Sequence, residues 1–475
     1  MKIALIQPAM GRDGERFVAS WKMEPLGLAT LAALTPPQHE VVFHDDRVER
    51  VPYDEPVDLV ALTAESYTAR RAYQIAARYR ARGVRVVMGG YHATFLPDEV
   101  SEHVDAVLVG EAEETWETIV ADAARGALGP RYHAPGRPSL RGRAPDRRIF
   151  AGKRYLPLTL VESGRGCRYA CDFCSISAFY RKTFEPRPAR DVAAEIEATG
   201  RKWIFLVDDN VSMDVERTKE LCRELIPLGI RWFSQATIAT GHDPELLSLM
   251  EKSGCAGILV GFESIDEHNL KAMNKTFNKG AGHYHDAIAG LGDHGIKIYA
   301  TFVFGYDSDP PDVFERTLDF ALEQRFFVAA FNHLQPFPGT PLYERFRVEG
   351  RLLYDRWWLE PGYRFGQLAY RPKGLAPEEL YERLMEIRRE FYSARNILAR
   401  AGHARANLLG PGAPWLHFAV NGLLRKELRD KWSTPLGDLG EPMPDALARP
   451  RGRAGSGAVS AEELGPSSAS AGAPP

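Results

Sequence analysis

Short apolar runs alternate with amphipathic stretches along most of the chain. Ile3–Ile6, Glu40–His44, Leu59–Thr63, Val84–Met88 and Ala106–Val109 read as strands. Pro25–Leu34, Thr68–Arg82, Asp98–His103 and Glu113–Arg125 carry helical spacing between them. Strands that are apolar throughout, instead of alternating, are those buried on both faces, so this part predicts a parallel sheet covered by helices on two sides. Gly129 to Arg148 is rich in Pro, Gly and Arg, lacks any apolar period and predicts an extended connector. The alternation resumes with strands at Leu158–Val161, Trp203–Val207, Arg231–Ala236, Gly257–Gly261, Lys297–Phe304 and Val328–Leu334. Helices are expected at Ala189–Thr199, Val215–Leu228, Pro244–Ser253, His283–Gly295 and Pro311–Gln324. Six such units suit an open parallel barrel better than a closed one of eight.

Beyond Pro338-Gly339-Thr340-Pro341 the aromatics Trp357, Trp358, Tyr363, Phe365 and Tyr370 precede a helical run from Pro377 to Arg400, and from Ala448 on Ala, Gly, Ser and Pro dominate. The expected organisation is α/β: a Rossmann-like parallel-sheet domain (1–130), a linker (131–157), a partial (β/α)6 barrel (158–345), a mainly helical C-terminal domain (346–447) and a disordered tail (448–475). The length of 475 residues agrees with about three domains.

A net charge of −3 gives no overall electrostatic case for nucleic acid or an anionic membrane. No apolar run reaches the roughly 18 residues that a membrane span needs. Met1–Ile6 enters a strand directly, without a signal-peptide cleavage site, and the five cysteines are an odd number, so a cytoplasmic protein with reduced thiols is expected.

Three of those cysteines lie in Gly164-Arg165-Gly166-Cys167-Arg168-Tyr169-Ala170-Cys171-Asp172-Phe173-Cys174. The spacing C-x3-C-x2-C after a strand places three thiolates on one compact loop, which can hold an iron–sulfur cluster with one iron left open. A zinc site would pair two C-x2-C units, and no second unit exists. Cys222 and Cys255 have no cysteine neighbour and read as small core residues.

With Phe173 before the third cysteine, this loop resembles that of the radical S-adenosylmethionine (SAM) enzymes. The flanking GRGC…CDFC is similar to members with an N-terminal cobalamin domain, and Glu390-Phe391-Tyr392-Ser393 with Asn396-Ile397-Leu398 resembles the C-terminal domain of the subgroup of hopanoid methylases and natural-product C-methyltransferases. The resemblance implies a [4Fe-4S] cluster on Cys167, Cys171 and Cys174, with SAM on its open iron and cobalamin in the first domain. At the strand ends it implies SAM contacts from Phe173, Asp208, Asp209, Gln235, Glu263 and Gly305. Glu263 stands in Gly261-Phe262-Glu263-Ser264, where a carboxylate accepts from ribose hydroxyls. Parallel sheets bind ligands beyond the carboxyl ends of their strands. The positions expected to meet cobalamin are Pro8, Leu26, Thr63, Ser66, Tyr67, Gly89, Gly90, His92, Gly110 and Glu111. Gln7 to Arg16 holds no histidine, so no histidine ligand to cobalt is expected from this loop.

The resemblance further implies a methyltransferase acting on an unactivated carbon of a small molecule, through a 5′-deoxyadenosyl radical and methylcobalamin. No general base is required, and an external electron donor such as flavodoxin or ferredoxin is. A cyclase or rearrangement enzyme with the same cofactors is the nearest alternative. A non-catalytic cobalamin or redox sensor is the alternative of another class, and no output module for one is visible.

Overall fold

The computed structural model describes residues 1–444 apart from 14–15, 18–21, 279, 403–406, 408–412 and 431–432, so the tail expected from 448 on lies outside the described residues. The first sheet has six parallel strands: β1 (Lys2–Gln7), β2 (Glu40–Asp45), β3 (Leu59–Thr63), β4 (Arg85–Gly89), β5 (Ala106–Val109) and β6 (Arg131–His133). Their order is β2-β1-β3-β4-β5-β6. Ile3, Leu5, Leu59 and Ala61 bury one face and Ala4, Ile6, Val60 and Leu62 the other, which is why the strands read as unbroken apolar runs. β6 departs from the expected connector: Arg131–His133 pairs in parallel with Val107–Val109. An edge strand of three residues is too short for its period to show.

The second sheet is also parallel and follows chain order: β7 (Thr159–Val161), β8 (Trp203–Leu206), β9 (Arg231–Ala236), β10 (Cys255–Glu263), β11 (Lys297–Phe304) and β12 (Val328–His333). β7 and β12 are edges, so the barrel stays open. Residues pointing outward, such as Trp232, Ile258, Phe262, Phe302 and Phe331, form one core with the surrounding helices. β10 is longer than Gly257–Gly261, and its register shifts between Gly261 and Glu263, where Glu263 takes a φ of 61°.

The C-terminal segment does more than add helices. Helix Pro377–Phe391 packs against β12, but residues 433–444 return to the first domain. There Gly437 N donates to Met10 O at 2.8 Å and Gln74 Nε2 to Asp438 O at 2.7 Å. Leu436 is 1% exposed in the core that Trp357, Trp358 and Tyr363 share with helix Ala69–Arg80. That cover explains why Arg71 and Gln74 are buried on a helix whose sequence reads as half polar: Arg71 pairs with Asp46 at 2.7 Å and with Glu441 at 3.2 Å. Leu436→Ala should therefore cost about 2–5 kcal/mol, seen as a lower urea midpoint of the whole chain. Among the described residues no helix is long and apolar enough to cross a membrane.

Candidate functional site

The cysteine loop begins where β7 ends. Gly164–Gly166 pairs antiparallel with Phe184–Pro186, and this hairpin carries the loop over the mouth of the open barrel. The loop is braced from the segment after β10: Asp172 N donates to Met273 O at 3.1 Å, Asn274 Nδ2 to Ala170 O at 2.8 Å, and Tyr169 stacks on Phe277 at 3.7 Å. From the loop after β11, Tyr306 Oη donates to Asp172 Oδ1 at 2.5 Å. Cys171 is buried and Cys167 and Cys174 are half-buried. Burial pushes the Cys167 thiol up to about 11 and Cys171 up to about 12, with smaller contributions from the neighbouring cysteines. Among the described residues no three Cys, His, Asp or Glu side chains close around a single ion. The three thiols are electrostatic neighbours on one compact loop, a donor set that fits an iron–sulfur cluster. Loading it must displace their protons.

Lys275, absent from the sequence-based set, lies inside this loop's support. It is 8% exposed, and its Nζ is 2.9 Å from Glu263 Oε1. Burial lowers its affinity for a proton, but Glu263 and Cys171 more than offset that and leave it above its ordinary value. A fixed buried cation beside three thiolates is what an anionic cluster needs. Nothing in the periodicity marks it, because it lies on a turn. Glu263 thus reaches the mouth already paired.

The two acids after β8 separate. Asp208 is 0% exposed and accepts from Ser163 N at 2.7 Å and Ser163 Oγ at 2.6 Å. Expected among the SAM contacts, it instead braces the start of the cysteine loop. Asp209 accepts from Gly166 N at 2.8 Å through Oδ2 and remains half-buried at the mouth. Burial raises it from 3.8 to about 6. A carboxyl raised on folding favours the native state fully below its unfolded value, and that advantage is lost as pH rises through about 6. Asp209→Asn should accordingly flatten the stability of the metal-free chain between pH 4 and 6, measured by urea unfolding at each pH.

Gln235 donates to Asp208 O at 3.3 Å at the mouth, and Phe173 packs on the barrel core. Gly305, at φ 98°, is set by packing behind the mouth: a Cβ there would strike the Tyr370 hydroxyl, which donates to Gly305 O at 2.9 Å.

Above the first sheet, chain order reverses between β1 and β3, which opens a crevice at their carboxyl ends. Pro8 and Ser66 are buried at its floor, and Thr63, Tyr67, Gly89, Gly90 and Gly110 are half-buried along its rim. Leu26 begins helix Leu26–Leu34 beside it. Gly90, at φ 94°, lets the turn pass within 2.8 Å of Thr63 Oγ1 where a Cβ would sit. Glu65 is solvent-exposed, yet burial raises its carboxyl, opposed by Arg47. The small and hydroxylic residues at these strand ends suit the close approach of a large ligand such as cobalamin.

The side chains of two expected contacts are engaged by other residues. The His92 ring is 0% exposed, bonded to Tyr73 Oη and Glu99 Oε1, both at 3.1 Å, and packed against Trp358. Glu111 is engaged by Arg137 at 2.6 Å and Arg165 at 2.8 Å, in a cluster with Glu113 and Glu162 that rivets the first domain to the cysteine loop.

The segments that follow the strand ends of the two sheets pack together. Helix Tyr91–Phe95, which follows β4, packs on helix Ser175–Phe179, which follows Cys174, with Tyr91 and Phe179 at 4.5 Å. The Tyr91 hydroxyl donates to Tyr180 Oη at 3.4 Å and is raised chiefly by burial, with Tyr180, Asp209 and Glu65 adding to it. On the other side Tyr67 meets Phe337, Trp357 and Phe365 at 5.1–5.6 Å.

Comparison with known proteins agrees with this arrangement. Residues 161–321 match the radical SAM superfamily and residues 18–120 the B12 binding domain. The chain is 32% identical to the bacteriochlorophyllide d C-12(1)-methyltransferase of Chlorobaculum tepidum, over 85% of this chain and 89% of that one. It is 28% identical to the bacteriochlorophyllide d C-8(2)-methyltransferase of the same organism, over 70% of this chain and 78% of that one. The fold resembles the radical SAM methyltransferase TsrM of Kitasatospora setae, solved with cobalamin and a [4Fe-4S] cluster, at a TM-score of 0.64 and 16% identity over 90% of this chain and 99% of that one.

Proposed function

Because the chain belongs to the family of cobalamin-dependent radical SAM enzymes that includes these methyltransferases, we propose that it methylates an unactivated carbon of a flat, lipophilic small molecule. Its cofactors are a [4Fe-4S] cluster, SAM and cobalamin. When bound, the cluster supplies the electron that cleaves SAM to a 5′-deoxyadenosyl radical, and cobalamin supplies the methyl-transfer chemistry. The observation that carries the proposal is the packing of the helix after β4 on the helix after Cys174, Tyr91 on Phe179 at 4.5 Å, which joins the strand-end side of the first sheet to the cysteine loop.

In this reading Cys167, Cys171 and Cys174 hold the cluster, and Lys275 offsets its negative charge. Asp208 fixes the loop through Ser163. Asp209, Gln235 and Glu263 offer SAM their free polar edges. Thr63, Ser66, Tyr67, Gly89 and Gly90 form the bed for cobalamin. Tyr67, Phe337, Trp357 and Phe365 exclude water from the radical and present an apolar wall to the substrate. The substrate class rests on that wall and on the relatives that act on bacteriochlorophyllide d. We place the reaction in the cytoplasm, with flavodoxin or ferredoxin as reductant.

The test uses the anaerobically reconstituted holoenzyme, a chlorophyllide-type tetrapyrrole and SAM carrying a trideuterated methyl group. The expected product gains one labelled methyl group, with both 5′-deoxyadenosine and S-adenosylhomocysteine formed. Deoxyadenosine accompanied by a product that has lost hydrogen and gained no label would replace methylation with cyclisation or rearrangement.

A further inference from the structure

Helix Ala413–Asp430 is apolar on two sides. Its inner side is accounted for: Leu416, Val420 and Leu424 pack against the barrel core. His417 and Asn421 are both 0% exposed, His417 Nε2 lying 3.0 Å from Ile397 O and Asn421 Nδ2 donating to Phe327 O at 3.1 Å. These contacts fix which side faces out. On that side Trp415 is 74% exposed, Leu423 56% and Phe418 43%. A docked helix normally turns its polar residues outward, so an aromatic outer side calls for a cover.

The same outer side becomes basic toward its end. At 3.6 residues per turn Trp415, Phe418, Gly422, Arg425 and Lys426 share one stripe, and all five are exposed. The sequence continues with Arg429 and Lys431, against Glu427 and Asp430, and then with Arg449, Arg451 and Arg453 in a stretch free of acids. Residues 445–475 are mostly Ala, Gly, Ser, Pro and charged residues, with Leu447, Val459 and Leu464 as their larger apolar side chains.

We propose that this helix docks the protein on an anionic membrane surface. Trp and Phe sit well at the level of lipid headgroups, where a ring is half apolar and half wet, and Arg and Lys beside them attract acidic lipid. The chain's net charge of −3 is no obstacle, because screening confines the attraction to charges within about 10 Å of the surface. The contact to Phe327 places the helix at the amino end of β12, opposite the mouth. A docked molecule therefore keeps its mouth toward solvent, open to a soluble electron donor. This surface is independent of the reaction proposed above.

The test is co-sedimentation of the full-length holoenzyme with vesicles of phosphatidylcholine alone or mixed with phosphatidylglycerol. Binding to the acidic vesicles should exceed that to neutral ones by about tenfold or more and weaken with salt. The double substitutions Trp415→Ser with Phe418→Ser, and Arg425→Glu with Lys426→Glu, should each lower it at least about fivefold while SAM cleavage is retained. No binding to acidic vesicles, or equal binding to both kinds, overturns the proposal. So does a dimer in light scattering that the Trp415→Ser, Phe418→Ser variant dissociates, which would make a second copy the cover.

Discussion

Cys171→Ala should reduce 5′-deoxyadenosine formation from SAM to background. Three cysteines are the minimum that can hold a four-iron cluster while leaving one iron for SAM, and Cys171 is the most buried of the three. With it gone, the remaining thiols, on a loop pinned by Asn274, Tyr306 and Phe277, have no substitute within reach, since Cys222 and Cys255 lie 1% and 3% exposed in the barrel core. Iron and sulfide per chain after anaerobic reconstitution should fall in parallel. Cys222→Ala is the control and should leave both unchanged. Deoxyadenosine production by a Cys171→Ala protein that still carries a full complement of iron would refute the ligand assignment.

Lys275→Met should be nearly as damaging by a different route. Its ammonium and the Glu263 carboxylate form a buried pair at 2.9 Å. Removing one partner of such a pair costs roughly 3–5 kcal/mol, because the other charge is left without a counterion. Here the stranded carboxylate would also face a negatively charged cluster. The expected results are a thermal midpoint lowered by several degrees, poor cluster retention and a loss of SAM cleavage of at least about a hundredfold. The double variant Lys275→Met, Glu263→Gln separates the two effects. It should recover much of the stability, because the orphan charge is gone, yet recover little SAM cleavage. A double variant as active as the native protein would mean that the pair serves folding alone.

All strands of both sheets but β6 were legible because burial on both faces writes itself as continuous apolar runs, and the cysteine loop was legible because its chemistry lies within eight consecutive residues. What escaped were partnerships between distant positions. Asp208 and Asp209 are adjacent and chemically identical, yet one turns under the loop to Ser163 and the other toward the mouth. His92 has the look of a ligand-binding turn residue, but Tyr73, Glu99 and Trp358 enclose it. Trp358 comes from a segment whose docking no local pattern announces. Lys275 gains its meaning only once the β10 turn is folded against the cysteines. Gly305 signals a tight approach, but which neighbour approaches is a tertiary fact.

The return of residues 433–444 to the first domain has a consequence for biogenesis. Helix Ala69–Arg80 is synthesised well before Trp357, Trp358, Tyr363 and Leu436, which complete the core on its outer side. Until those residues leave the ribosome, Arg71 and Gln74 lack the Glu441 and Asp438 groups that receive them. The first-sheet domain is thus finished by residues made long after its own strands, Gln74 and Asp438 being 364 positions apart, and it reaches its native packing together with the barrel rather than ahead of it.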